Sequence, residues 1–150
     1  MAYQHRRIKY NPNTQIFAMR GRYPNFIAKK HHDGRIVFTG NMNVRPEFDE
    51  YNVQITYKGR ERPKARILSP KVGWDAPHIL DGEGLLCLYK GELFQWEEHY
   101  LVADYIIGWV AEWIYFYEAW KETGHFEGPE APHSPNTPKT DEEITTPKNN

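Results

Sequence analysis

The fold class predicted by this sequence is α+β: an antiparallel β-meander packed against a long, aromatic-rich C-terminal helix. Three observations predict it. Tyr51, Val53, Ile55 and Tyr57 alternate with Asn52, Gln54 and Thr56, the period-two signature of a strand with one buried face and one wet one. Shorter runs rich in β-branched and aromatic residues, set off by turn residues, lie on either side of it. From His99 to about Lys121 no proline intervenes, and Asp104, Gly108, Glu112, Glu118 and Glu122 fall on one narrow polar stripe at about 100° per residue, leaving the rest of the helix surface apolar.

Taken in order, the first 34 residues are the least regular. Asn11-Pro12-Asn13 and Tyr23-Pro24-Asn25 interrupt any long helix, and only Gln15-Ile16-Phe17-Ala18-Met19 reads as a strand. After the Asp33-Gly34 turn, Arg35 to Thr39 predicts a strand that Asn41 to Val44 extends past Gly40. The alternating strand Tyr51 to Tyr57 follows, then a turn at Lys58-Gly59-Arg60 and a third strand at Lys64-Ala65-Arg66-Ile67-Leu68. Ser69 to Gly84 holds two prolines and three glycines and is expected to be an ordered loop, pinned to the domain by Trp74 and Ile79. Trp109, Trp113, Tyr115, Phe116, Tyr117 and Trp120 make the long helix the central packing element, and Gly124 is expected to end it. Residues 1–126 are thus expected to form a single domain, and 127–150, rich in proline and poor in apolar residues, a flexible tail.

Charge is distributed unevenly. Residues 1–71 carry 15 Lys and Arg against 5 acids and residues 72–150 carry 4 against 15, so +10 and −11 give the net −1. Such asymmetry steers association with a partner of complementary potential, or neutralises internally in the fold. Nucleic acid is not an expected partner, because Arg6, Arg7, Lys29, Lys30, Arg60, Arg62, Lys64 and Arg66 are scattered and match no recognition motif. No uncharged run approaches the roughly 20 residues of a membrane span. No signal-peptide pattern opens the chain and no disulfide framework is available to it, so a cytoplasmic protein is expected. Neither His31 with His32 nor His125 with His133 has the companions of a ligand set, so no metal and no cofactor is expected.

Cys87 is the only cysteine. A free cysteine is most often a small buried hydrophobe, yet a thiol with an ordinary pKa of about 8.5 is a strong nucleophile once partly ionised. Its setting decides between the two. A turn carrying Pro77-His78-Ile79 precedes Gly84-Leu85-Leu86-Cys87-Leu88, Trp96 follows nine residues after the cysteine, and the aromatic helix comes next.

This order of motifs resembles the ubiquitin-conjugating enzyme (UBC) family, in which a His-Pro-Asn turn precedes a Gly-x-hydrophobic-Cys-Leu segment and a tryptophan follows. Pro-His-Ile, Leu-Cys-Leu-Tyr and the helix Trp-Val-Ala-Glu-Trp-Ile-Tyr-Phe-Tyr-Glu-x-Trp are still more similar to the bacterial branch, the stand-alone conjugating enzymes of cyclic-oligonucleotide-based antiphage signalling (CBASS) operons. The resemblance spans about residues 35–122. It implies a UBC-like fold and a transferase in which Cys87 holds a carrier protein's C-terminal glycine as a thioester and passes it to an amine. In the bacterial branch it implies that the carrier is a cGAS/DncV-like nucleotidyltransferase, with an activating enzyme acting in trans.

The family's asparagine falls at Ile79, which donates only through its backbone. His78 is the nearest side chain able to hydrogen-bond in its place, as an oxyanion donor or as support for the loop. Trp96, Tyr89, Asp81 and Glu83 are the candidate binding residues. Asp81, Glu83 and Glu92 are placed to orient or deprotonate an incoming amine, or are ordinary solvated loop acids; Tyr89 lines the groove or packs in the core. The family's N-terminal helix has no counterpart in this reading. Two other functions remain beside the transferase: a non-catalytic protein-binding module on the same fold, and a cysteine hydrolase using His78 or His99, for which no motif is present.

Overall fold

The computed structural model describes residues 11–73, 75–80, 84–88 and 94–126. They form α1 (Pro12–Arg22), β1 (Ile27–Lys30), β2 (Ile36–Met42), β3 (Tyr51–Lys58), β4 (Glu61–Ser69), the two-residue strands β5 (Ile79–Leu80) and β6 (Leu85–Leu86), and α2 (Val102–Thr123). The architecture is α+β. A four-stranded antiparallel sheet in the order β1-β2-β3-β4 is joined by the small β5-β6 hairpin.

α1 corrects the expectation of a strand at Gln15–Met19 and of no helix near the N-terminus. Asn11 does not break the chain but caps it: its side chain accepts the Thr14 N–H at 2.9 Å. Pro12 then stands in the first helical turn, where a missing N–H costs nothing and the fixed φ is already helical. The helix buries Gln15 and Met19, four residues apart on one face, and leaves Phe17 81% exposed.

The meander also begins one strand earlier than expected. β1 pairs Ile27 with Thr39 and Lys30 with Ile36, and it buries little. Gly40 in β2 is a close-approach glycine, since a Cβ there would stand 2.7 Å from the Phe26 ring. β3 buries Tyr51, Val53, Ile55 and Tyr57, the alternation expected of it. β4 runs longer than Lys64–Leu68, from Glu61, and its register with β3 shifts between Thr56 and Lys58, opposite the stretch that contains Pro63. Proline, which has no N–H to give the ladder, is found in sheets at such irregularities and on edge strands.

The inner sheet face packs on α2 to form one core, with Phe38, Val53, Ile55, Val102, Ile106, Val110 and Ile114 among its buried members. The outer face gathers cations dispersed in sequence. Pairing sets Lys29, Val37, Thr56 and Lys64 in one cross-strand row and Ile27, Thr39, Gln54 and Arg66 in the next.

α2 starts at Val102, three residues later than expected, after a turn in which the Tyr100 N–H reaches the Glu97 carbonyl at 2.9 Å. Its N-cap residue, Leu101, offers no side-chain cap. Gln15 of α1 supplies one instead. It accepts the Val102 N–H at 3.0 Å through Oε1 and donates to the Tyr100 carbonyl at 2.6 Å through Nε2, while itself only 1% exposed. An ion pair between Arg22 and Asp104 holds the same two helices at the surface. At the far end Gly124 adopts φ +75° and closes α2 on the Trp120 carbonyl, as expected. A further tie crosses from sheet to helix, where the Tyr51 hydroxyl donates to Glu118 and Lys121 pairs with Glu118 at 3.0 Å. Among the described residues, no helix is long and apolar enough to cross a membrane.

Candidate functional site

The surroundings of Cys87 are built from a local hairpin and two residues distant in sequence, Trp113 and Phe126. Ile79 pairs with Leu86 and Leu80 with Leu85, so the β5-β6 hairpin brings His78 and Cys87 to its open end. Leu85, Leu86 and Leu88 are buried and anchor the turn, whereas Cys87 is partly exposed. A cysteine so placed is held by its neighbours without being fully enclosed, whereas a packing cysteine is most often fully buried.

His78 is where the arrangement departs from ordinary backbone. Its φ is +58°, the left-handed region, and it is the one non-glycine residue so placed among the described residues. Its carbonyl accepts the Cys87 N–H at 2.8 Å and the indole N–H of Trp113 at 3.3 Å. Trp113 lies in α2, buried and stacked on Tyr117 with ring centroids 4.9 Å apart. The His78 ring packs against Phe126, centroid to centroid 4.4 Å, after Gly124 has turned the chain back from α2. Cys87 is thereby tied through one carbonyl to the central helix.

Trp96 is brought into the core, not to a groove. It is buried, donates its indole N–H to the Gly59 carbonyl at 3.2 Å, and meets Tyr57 and Tyr100 edge to face. In this position Trp96 fastens the β3-β4 turn to the segment before α2. His99 stands beside Glu97, 3.1 Å from its carboxylate, and packs on Tyr100. Tyr89, Asp81, Glu83, Glu92 and Trp74 lie outside the described residues, as does the tail at 127–150. Among the described residues, no group of three or more potential ligands is arranged to hold a metal ion.

Four groups whose pKa is raised lie in the packing between sheet and helices. Burial, reinforced by the Glu118 carboxylate that accepts its proton, pushes the Tyr51 hydroxyl far above the ordinary phenol range. Burial also raises Tyr57, against a hydrogen bond with Gln15 that pulls the other way, and raises Tyr117, against the nearby charge of Lys121. Lys121 is raised although burial opposes it, because Glu118 hydrogen-bonds and attracts its ammonium.

Sequence reasoning passed over Trp113 and Phe126 as site residues, counting the first as core and the second as the last apolar residue before the tail. A signal was available for Trp113. A buried indole N–H needs an acceptor, and a loop carbonyl is the commonest kind on offer.

Set against known proteins, the chain falls in the E2-like class. Residues 15–134 match the family described as Type II CBASS E2 protein, and the chain belongs to that family. Membership gives it an E2-like role in CBASS antiphage defence, alongside other components of that system. No curated protein matches the sequence significantly.

Proposed function

We propose that this protein is a UBC-fold transferase whose Cys87 carries an acyl group. The C-terminal glycine of a carrier protein, a cGAS/DncV-like nucleotidyltransferase of the same operon, arrives activated by an enzyme acting in trans. The Cys87 thiolate attacks the activated carbonyl carbon, the activating group leaves, and a thioester forms; an amine then displaces the thiolate, giving an amide and returning the thiol. A thioester suits the task because its thiolate leaves readily, so the stored acyl group needs no further activation. Asp81, Glu83 and Tyr89 are the residues we assign to the approach of the amine and carrier.

What carries this reading is that the single cysteine of a chain in an E2 family is partly exposed on a turn whose backbone is fixed from the core. The test is a carrier adduct on the full chain, formed with the operon's nucleotidyltransferase and an activating enzyme. The expected adduct is cleaved by reducing agent and absent in Cys87→Ala. No adduct under those conditions, or one that survives in Cys87→Ala, refutes the thioester.

A further inference from the structure

A left-handed backbone at a residue other than glycine persists where the surroundings over-determine it. His78 meets that condition three times over. Its carbonyl receives the Cys87 N–H and the Trp113 indole N–H, and its ring is covered by Phe126. Phe126 is delivered by the left-handed Gly124 and braced by Phe116, 5.9 Å away. Pro77 lies immediately before His78, and Ile79 immediately after is already committed to β5 and its pairing with Leu86.

We infer that His78 serves Cys87 through its backbone, as a positioning residue locked by Trp113 and Phe126, and that its imidazole is not what the chemistry uses. This rests on the reading of Cys87 as the acyl-carrying residue. Rotating His78 into an ordinary conformation swings its carbonyl away from both N–H groups and releases the Cys87 amide from α2. The turn therefore needs a residue that accepts positive φ and presents a carbonyl. Histidine is among the side chains enriched in that region, as is asparagine, whereas a β-branched residue is a strong outlier there. Trp113 transmits the position of α2 to the cysteine through two hydrogen bonds that meet at the His78 carbonyl, and Phe126 keeps the strained conformation covered.

The experiment is amide hydrogen exchange by NMR on the full chain, read at Cys87 with the α2 interior amides of Val110 and Ile114 as the global reference, beside the rate of thioester formation. In His78→Asn, protection at Cys87 and the thioester rate are both expected to stay within about threefold of the parent, because asparagine adopts the left-handed region readily. In His78→Val both are expected to fall at least about tenfold while Val110 and Ile114 keep their protection. His78→Ala takes the place of the valine variant if that one does not fold. Trp113→Phe, which keeps the ring and removes the donor, is expected to lower Cys87 protection several-fold on its own.

A His78→Asn protein that keeps Cys87 protection but forms thioester at a tenth of the rate or less requires the imidazole and overturns the inference. Unchanged Cys87 protection in the valine or alanine variant and in Trp113→Phe also overturns it. Failure of the thioester reading shows separately, as an adduct that persists in Cys87→Ala, and leaves the exchange results to decide the backbone role.

Discussion

Replacing Gln15 with methionine removes one amide and leaves the side-chain volume nearly unchanged. In the parent, that amide satisfies the Val102 N–H at 3.0 Å and the Tyr100 carbonyl at 2.6 Å. Val102 is fully buried, so its N–H has no route to water once the acceptor is gone. An orphaned buried donor costs about 1–3 kcal/mol. Tyr100 is only partly buried and its carbonyl recovers some hydration, so a loss nearer the net worth of one hydrogen bond, about 0.5–1.5 kcal/mol, is appropriate there. The total expected for Gln15→Met is about 2–4 kcal/mol. At about 2–4 °C per kcal/mol for a chain of this size, the thermal midpoint falls by roughly 5–15 °C. Gln15→Ala adds a cavity and costs more. Gln15→Glu separates the hydrogen bonds from the packing. When ionised it accepts from Val102 at a helix N-terminus but opposes the Tyr100 carbonyl; when protonated it restores the donor. Burial raises its folded pKa, so its stabilising contribution is present at low pH and is lost as pH rises through that value. Thermal melts by circular dichroism between pH 4 and 8 read all three. A methionine variant melting within about 2 °C of the parent, too little for one orphaned donor, refutes the clamp as an energetic feature.

Two other perturbations follow from the packing. Tyr51, Tyr57, Tyr117 and Lys121 all have folded pKa values above their ordinary ones, so the folded state holds protons that the unfolded chain gives up. The stability these four groups contribute is therefore full below about pH 10 and declines above it, and Tyr51→Phe flattens the decline in melts recorded from pH 8 to 12; equal slopes for parent and variant remove Tyr51 as a cause. Gly40→Ala forces a Cβ to within 2.7 Å of the Phe26 ring, and the displacement of that buried ring is expected to cost about 1–3 kcal/mol by urea titration. Restoration by Phe26→Leu in the double variant tests the clash itself, and a single variant as stable as the parent disproves it.

How much of this was legible depends on where the signal resides. β3 reads directly from sequence because every second residue is apolar and its burial follows that pattern. β1 does not: Ile27-Ala28-Lys29-Lys30 buries almost nothing, and its conformation is imposed by pairing with β2. α1 was hidden by a proline that occupies the one helical turn where proline is welcome. At the site, the order of motifs led to Cys87 but not to what holds it. The Cys87–His78 hydrogen bond depends on a hairpin of two-residue strands, too short to leave a periodicity. For Trp96 the family motif supplies a position, and the core contact its indole N–H makes with the Gly59 carbonyl is visible only in the fold.

Pro63 and the register shift beside it bear on how copies of this chain behave at high concentration. Among the described residues β1 and β4 are the sheet's two edges, and an unpaired edge is a template for another molecule's strand. One edge carries two successive lysines, and the other is interrupted by a residue with no N–H to offer and a ladder that slips out of phase at the same place. An incoming strand along β4 would meet a residue with no N–H to donate and the β6 segment packed beside it, and along β1 the ammonium groups of both chains. The irregularity that spoils the meander's symmetry thus works as protection against fibre-like self-association, leaving the sheet's broad outer face accessible without making its margins adhesive.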